Sequence, residues 1–250
     1  MENKFIKLSK SVINEDDKKA VLNVLDNEYL GMGDYVNIFE EDLSKFIGRE
    51  VVCVNSGTAA LQLALQAIGI RQGDEVLIQS ITYVASFQAV SALGAIPIPC
   101  EIDKDKLTID LSDAKQKITK RTKAIMPVHY AGDPGNLSEI YNFARLNNLR
   151  VVEDAAHAFG SYYEGKLIGS FGDVCCFSFD GIKNITSGEG GCVTSNDNEV
   201  LENIKNYRLL GVINDSEKRF KSQRSWEFDV DAQGWRYHMS NIMAALGSSQ

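Results

Sequence analysis

Short apolar runs separated by longer stretches of helical period recur along most of the chain, and this alternation constrains the fold more than any other feature. The runs at 51–54, 75–79, 96–101, 124–128, 150–153, 173–179 and 191–194 are rich in Val, Ile and Cys and read as buried strands. A half-exposed strand alternates polar and apolar residues, whereas near-continuous runs require cover on both faces, as the crossover helices of parallel sheets provide. The intervening segments 58–67, 86–93, 111–118, 136–147 and 198–210 carry apolar residues three or four apart, the signature of a helix with one buried stripe. The prediction is an α/β chain of about seven strands in a mostly parallel sheet, with helices on both faces and right-handed crossovers. Two amphipathic helices, at 15–25 and 36–46, are expected ahead of the sheet, the first capped by Asn14. The polar stretch 214–224 reads as the one long exposed loop, and the chain stops inside another helical pattern, Ala244-Ala245-Leu246-Gly247-Ser248-Ser249-Gln250, which reads as a truncation.

With 250 residues, 44% hydrophobic and 24% charged, the chain has the make-up of a globular protein with a substantial core. A formal charge of −8 and the lack of a Lys/Arg run argue against a nucleic-acid partner. The start, Met1-Glu2-Asn3-Lys4-Phe5-Ile6-Lys7, lacks the apolar stretch of a secretory leader, and no segment approaches the ~18 apolar residues of a membrane span. We expect a cytoplasmic protein with no membrane partner. Cys53, Cys100, Cys175, Cys176 and Cys192 form no CxxC pair and read as core thiols rather than disulfides or metal ligands, so no metal site is expected.

Three segments carry chemistry. In Asn55-Ser56-Gly57-Thr58-Ala59-Ala60-Leu61 a strand passes through small residues into a helix, where free backbone N–H groups, the helix dipole and the Thr58 hydroxyl suit a phosphate. Read alone, it is as readily an ordinary strand-to-helix turn with a Ser/Thr cap. In Val151-Val152-Glu153-Asp154-Ala155-Ala156-His157 a strand delivers a carboxylate at its C-terminal end and an imidazole three residues later, suited to a protonated ring nitrogen and a ring oxygen, or to a cap and a packed histidine. In Ser178-Phe179-Asp180-Gly181-Ile182-Lys183-Asn184, followed by Gly188-Glu189-Gly190-Gly191, one lysine lies between a hydrophobic strand and a Gly-rich turn, as a Schiff-base amine or as a solvated charge.

Phosphate cradle, ring-nitrogen acid and Schiff-base lysine in that order resemble a fold-type I pyridoxal-phosphate enzyme, and the quoted motifs are similar to those of the DegT/DnrJ/StrS sugar aminotransferases. The similarity extends to Gly33, to Val36 through Glu40, to "GAIPIPCEID" at 94–103, and to Gly234 through Ser240. It implies that residues 1–250 form the large, cofactor-binding domain with an N-terminal helical segment, the smaller C-terminal domain being absent or only begun. It also implies roles. Lys183 would anchor pyridoxal 5′-phosphate and move the reaction's proton, Asp154 would pair with the pyridine nitrogen, and His157, at a position often Gln in relatives, would contact the ring hydroxyl. Tyr83 would stack on the ring, although it also reads as core. Gly57, Thr58 and Ser178 would hold the phosphate, with Arg236 reaching it from the second subunit of a homodimer. Many relatives place Asn at the position of Arg236 and Arg at that of His238, and Asp180 stands where His or Tyr is frequent.

The implied reaction is transamination from L-glutamate to a keto group of a nucleotide-linked deoxysugar, in deoxyaminosugar and polysaccharide biosynthesis. Rival readings are a related sugar dehydratase, in which histidine typically replaces the lysine, and a non-catalytic or regulatory pyridoxal-phosphate-binding protein.

Overall fold

The apolar runs become one seven-stranded sheet in the computed structural model, which describes residues 9–212 and 229–250. The loop expected at 214–224 lies outside the described residues. Ahead of the sheet are α1 (Glu15–Asp26) and α2 (Asp34–Ile47). The chain continues through β1 (Val51–Val54), α3 (Gly57–Ala67), β2 (Glu75–Gln79), α4 (Val84–Ser91), β3 (Ile96–Cys100), α5 (Leu111–Lys117), β4 (Thr122–Met126), α6 (Leu137–Leu146) and β5 (Arg150–Asp154). A small hairpin of β6 (Tyr162–Tyr163) and β7 (Lys166–Leu167) precedes β8 (Val174–Ser178), β9 (Gly191–Ser195), α7 (Asn198–Tyr207) and α8 (Asn241–Ser249).

Each strand of the seven-stranded sheet falls within two residues of its run in the sequence. The sheet order is β1-β9-β8-β5-β4-β2-β3, and only β9 runs against its neighbours. Because a strand's side chains alternate between faces, each run serves two cores. Val51, Cys53, Cys175 and Cys192 join the core formed with α2, α5, α6 and α8, while Val52, Val54, Cys176 and Val193 join the core formed with α3, α4 and α7. The helices therefore cover both faces, as the uninterrupted apolar runs require. All five cysteines are buried free thiols, and burial pushes the Cys100 thiol up to about 11. Among the described residues no helix is long and apolar enough to cross a membrane.

Two local details depart from the sequence reading. The helix expected to reach 210 stops at Tyr207, because Leu209 forms a bridge with Arg236 and the Leu210 N–H donates to the Trp235 carbonyl at 3.1 Å. The β6–β7 hairpin is too short to show as a strand pattern. Its turn places Glu164 and Gly165 at positive φ (48° and 76°), the backbone of a two-residue hairpin turn. At α1, by contrast, Asn14 caps as expected, accepting from the Asp16 and Asp17 amides while the Asp17 carboxylate accepts from the Asn14 amide.

The reversal of β9 gathers several chain segments at one place. Its first residue, Gly191, lies opposite Val54 and Ser178, the last residues of β1 and β8. The C-terminal ends of β1, β8 and β5 and the start of β9 thus meet along one edge of the sheet, the edge at which open α/β sheets bind ligands.

Candidate active site

At that edge β1 leads through Asn55 and Ser56 into α3. Ser56 is the N-cap, in extended backbone, and its hydroxyl accepts from the Ala59 N–H at 3.1 Å. The amides of Gly57 and Thr58, in the first turn, have no intrahelical acceptor and lie at the positive end of the helix dipole. Close packing explains the glycines. A Cβ on Gly57 would stand 2.8 Å from Ser178 Cβ, and one on Gly191 would stand 2.6 Å from the Ser56 carbonyl carbon and oxygen and 2.7 Å from Gly57 N. Gly57, Thr58 and Ser178, expected together from the sequence, are therefore brought together, and Gly191 is the contact that seats them. Ser178 is buried and its hydroxyl accepts from the Asp180 N–H at 3.4 Å, whereas the Thr58 residue is exposed. Two hydroxyls and two first-turn amides at one helix start suit a phosphate.

Asp154 ends β5 and is buried. Its Oδ2 accepts from the Ser86 hydroxyl at 2.7 Å and its Oδ1 from the Ala156 N–H at 3.2 Å. Its backbone is fixed from both sides, with Asp154 N–H donating to Pro127 C=O at 2.9 Å and Ala155 N–H to Cys176 C=O at 2.9 Å. Among the described residues both donors to this carboxylate are neutral. Burying a carboxylate with neutral donors only is costly, and a cationic partner would offset that cost.

Lys183 is half-buried on the turn between β8 and β9. The turn is held by hydrogen bonds from Lys183 N–H to Asp180 C=O (3.0 Å), Phe179 N–H to Gly190 C=O (2.8 Å) and Ser187 N–H to Phe179 C=O (2.9 Å). Side chains add the Asn184 amide to Phe159 C=O at 2.9 Å and the Ser11 hydroxyl to Gly181 C=O at 2.5 Å. The His157 imidazole is held below its usual value, first by partial burial and then by the charge of Lys183, with Asp154 acting in the opposite sense. His157, Lys183 and Asp154 thus share one electrostatic neighbourhood, in which burial and Lys183 disfavour the charged form of His157.

Tyr83 is 75% exposed at the N-cap of α4, so the alternative of a core tyrosine is excluded. It stands one turn before Ser86, whose N–H donates to the Tyr83 carbonyl at 3.2 Å. Arg236 is exposed on a segment laid beside the α3 turn: the Asn55 N–H donates to Tyr237 C=O at 2.8 Å. Trp235 and Tyr237 stack with ring centroids 5.7 Å apart and bond to Gln66 and Gln62 of α3. Arg236 itself makes no contact with the Gly57–Ser178 cradle among the described interactions.

Sequence reasoning missed Ser86 and Thr82, whose oxygens lie 2.6 Å apart, and a buried network under Asp154. In that network His129 Nε2 lies 2.8 Å from Glu153 Oε2, and the Tyr141 hydroxyl donates to Glu153 Oε1 at 2.5 Å. The hydroxyls at Thr82 and Ser86, four apart across a helix start, were the available signal. Nothing local linked His129 to Glu153.

Known proteins resemble this chain in sequence and in fold. The sequence model of the DegT/DnrJ/EryC1/StrS aminotransferase family matches residues 11–250. GDP-perosamine synthase of Escherichia coli O157:H7 is 39% identical over 252 residues, covering 99% of this chain and 66% of that protein. The UDP-4-amino-4-deoxy-L-arabinose–oxoglutarate aminotransferase of Shewanella sediminis is 37% identical, covering 100% of this chain and 64% of that protein. A solved structure, the PLP form of the putative sugar aminotransferase Spr1654 from Streptococcus pneumoniae, superimposes with a TM-score of 0.87 at 31% identity, over 97% of this chain and 65% of that one. The chain spans just under two thirds of the length of each, 64–66%.

Proposed function

The chain belongs to the DegT/DnrJ/EryC1/StrS aminotransferase family, and from that premise we propose that it binds pyridoxal 5′-phosphate and moves an amino group from L-glutamate to a keto group of a nucleotide-linked deoxysugar. We take residues 1–250 as the large, cofactor-binding domain. The observation that carries the reading is the convergence at one sheet edge of the Gly57–Ser178–Gly191 cradle, the buried Asp154 carboxylate with neutral donors only, and Lys183 close enough to act on His157.

When bound, the protonated ring supplies an electron sink for exchange at the carbon–nitrogen bond. The residues divide the remaining work. Lys183 would hold the group through its ε-amine, and that amine would carry the proton at the substrate carbon. Asp154 keeps the ring nitrogen protonated. The Gly57 and Thr58 amides and the Thr58 and Ser178 hydroxyls receive the phosphate, His157 meets the ring hydroxyl, and Tyr83 covers a ring face. These contacts hold geometry rather than perform bond changes. Glutamate as donor is supported by the oxoglutarate in the name of the Shewanella relative. Arg236, exposed beside the cradle, is assigned to the phosphate of a second copy in a homodimer with shared sites. The five free thiols suit a reducing compartment such as the cytoplasm. Lys183 disfavours the dehydratase reading, in which histidine typically replaces the lysine.

The test is covalent mapping. Protein incubated with pyridoxal phosphate, reduced with borohydride and digested is expected to carry the adduct on Lys183, and Lys183→Ala is expected to carry none. An adduct that persists in Lys183→Ala moves the anchor elsewhere, and wild-type protein that takes up no cofactor overturns the reading.

A further inference from the structure

We infer that Ser86 and Thr82 form a one-way hydroxyl relay that positions Asp154 and holds it as an anion, so that the proton it shares with its partner stays on the partner's nitrogen. The inference rests on the cofactor reading above and assigns a task to two residues outside it.

Ser86 is fully buried as the third residue of α4, and Asp154 is 4% exposed at the end of β5, 68 positions along the chain. Their contact of 2.7 Å is a hydrogen bond to a carboxylate, and the Thr82–Ser86 contact of 2.6 Å is a second one in series. A hydroxyl has one proton to give. If Asp154 is ionised, the Ser86 proton points at Oδ2, so the proton in the other contact must come from Thr82. The order Thr82 Oγ1–H to Ser86 Oγ–H to Asp154 Oδ2 is then fixed, and each donor strengthens the next.

Two donors face the carboxylate, the Ser86 hydroxyl on Oδ2 and the Ala156 amide on Oδ1, and Ser86 sits in the first turn of α4. A protonated Asp154 would reverse the chain, Oδ2–H donating to Ser86 and Ser86 to Thr82, so the order that starts at Thr82 and the anion go together. Ser86 also leaves the carboxylate no freedom to rotate, since each oxygen has its own partner on a different element. It is a positioning residue: it acts through Asp154 and touches no reacting atom.

The experiment uses cofactor labelled with 15N in the ring, bound to wild type, Ser86→Ala, Ser86→Thr and Thr82→Val. Hydrogen bonds to charged groups carry enough free energy that losing Ser86 is expected to raise the Kd for pyridoxal phosphate about tenfold. The ring 15N resonance should shift toward that of an unprotonated pyridine. Ser86→Thr, which keeps the hydroxyl, should restore both readouts, and Thr82→Val should move both in the same direction by less. The melting temperature of the cofactor-free protein separates a folding defect from this effect. A Ser86→Ala protein that folds, with Kd within twofold of wild type and an unchanged 15N shift, overturns the relay while leaving the cofactor reading intact. Wild-type protein without bound cofactor overturns both.

Discussion

Gly191→Ala adds one methyl group where β9 meets the start of α3. Its Cβ would lie 2.6 Å from the carbonyl carbon and oxygen of Ser56 and 2.7 Å from Gly57 N, all backbone atoms, so no side-chain rotation relieves the clash. Restoring an ordinary contact of 3.4 Å requires the helix start to retreat by about 0.8 Å. The alternative is to move β9, but Gly191 is in register with both Val54 and Ser178, and that shift breaks two ladders at once. Overpacking of this kind costs about 1–3 kcal/mol. The effect on binding should be larger than on folding. An N–H···O bond is best near 2.9 Å, so a retreat of about 0.8 Å takes a first-turn amide out of range of a bound phosphate. Losing one such bond to a charged group, about 1.5–3 kcal/mol, weakens cofactor binding roughly 10–100-fold. Absorbance titration with pyridoxal phosphate measures the affinity, and thermal melts of the cofactor-free protein measure the folding cost. Gly31→Ala is the control, since a Cβ there meets nothing within 4 Å. If Gly191→Ala binds the cofactor within twofold of wild type, the cradle is not set by this contact.

Two other predictions concern regions outside the cradle. Glu75 is buried at the start of β2, and the Thr119 hydroxyl, then Arg121, hold its carboxyl below the ordinary value of 4.5 despite burial. A lowered folded-state value contributes stability that is complete above 4.5 and is lost as pH falls through the folded value. Urea melts should therefore show Glu75→Gln less stable than wild type at pH 7 and converging with it at strongly acid pH, and a constant gap across that range would refute the coupling. Arg236→Ala should leave the cofactor-free melt unchanged, because the side chain is exposed, while reducing cofactor retention in the dimer. A monomer that retains cofactor with full affinity would refute its role across subunits.

The strands were legible because runs such as Val51-Val52-Cys53-Val54 are apolar at consecutive positions, which only two-sided burial explains. The ends of those runs also showed where the ligand edge lay, and Asp154 and Ser178 stood on it. What the chain did not announce was long-range. Ser86 meets Asp154 across 68 residues, and Gly191 presses on Ser56 only because β9 inserts in reverse between β1 and β8. A glycine opening a strand carries no local mark of such a contact. The end of α7 falls short of its helical pattern for a similar reason, since Leu209 and Leu210 leave the helix to pair with residues 235 and 236.

The dipeptide Glu153-Asp154 shows how the sheet assigns roles that composition leaves equal. Both are buried carboxylates, adjacent in the chain, yet the pleat turns them to opposite faces. Asp154 pairs in register with Cys176, which belongs to the α3–α4–α7 core, and Ser178, two residues further, lies on the same face. Glu153 pairs with Cys175 in the opposite core, where the Tyr141 hydroxyl and His129 take up its two oxygens. Glu153 thereby has a side-chain partner on each oxygen, while Asp154 is oriented by the Ser86 hydroxyl and the Ala156 amide alone among the described hydrogen bonds. A slip of one residue between β5 and β8 would exchange the two acids and turn Asp154 away from the cradle and from Ser86. The register of that strand pair, fixed by Val152 against Val174 as much as by any polar contact, is therefore what brings Asp154 rather than Glu153 to the face of Ser86 and the cradle.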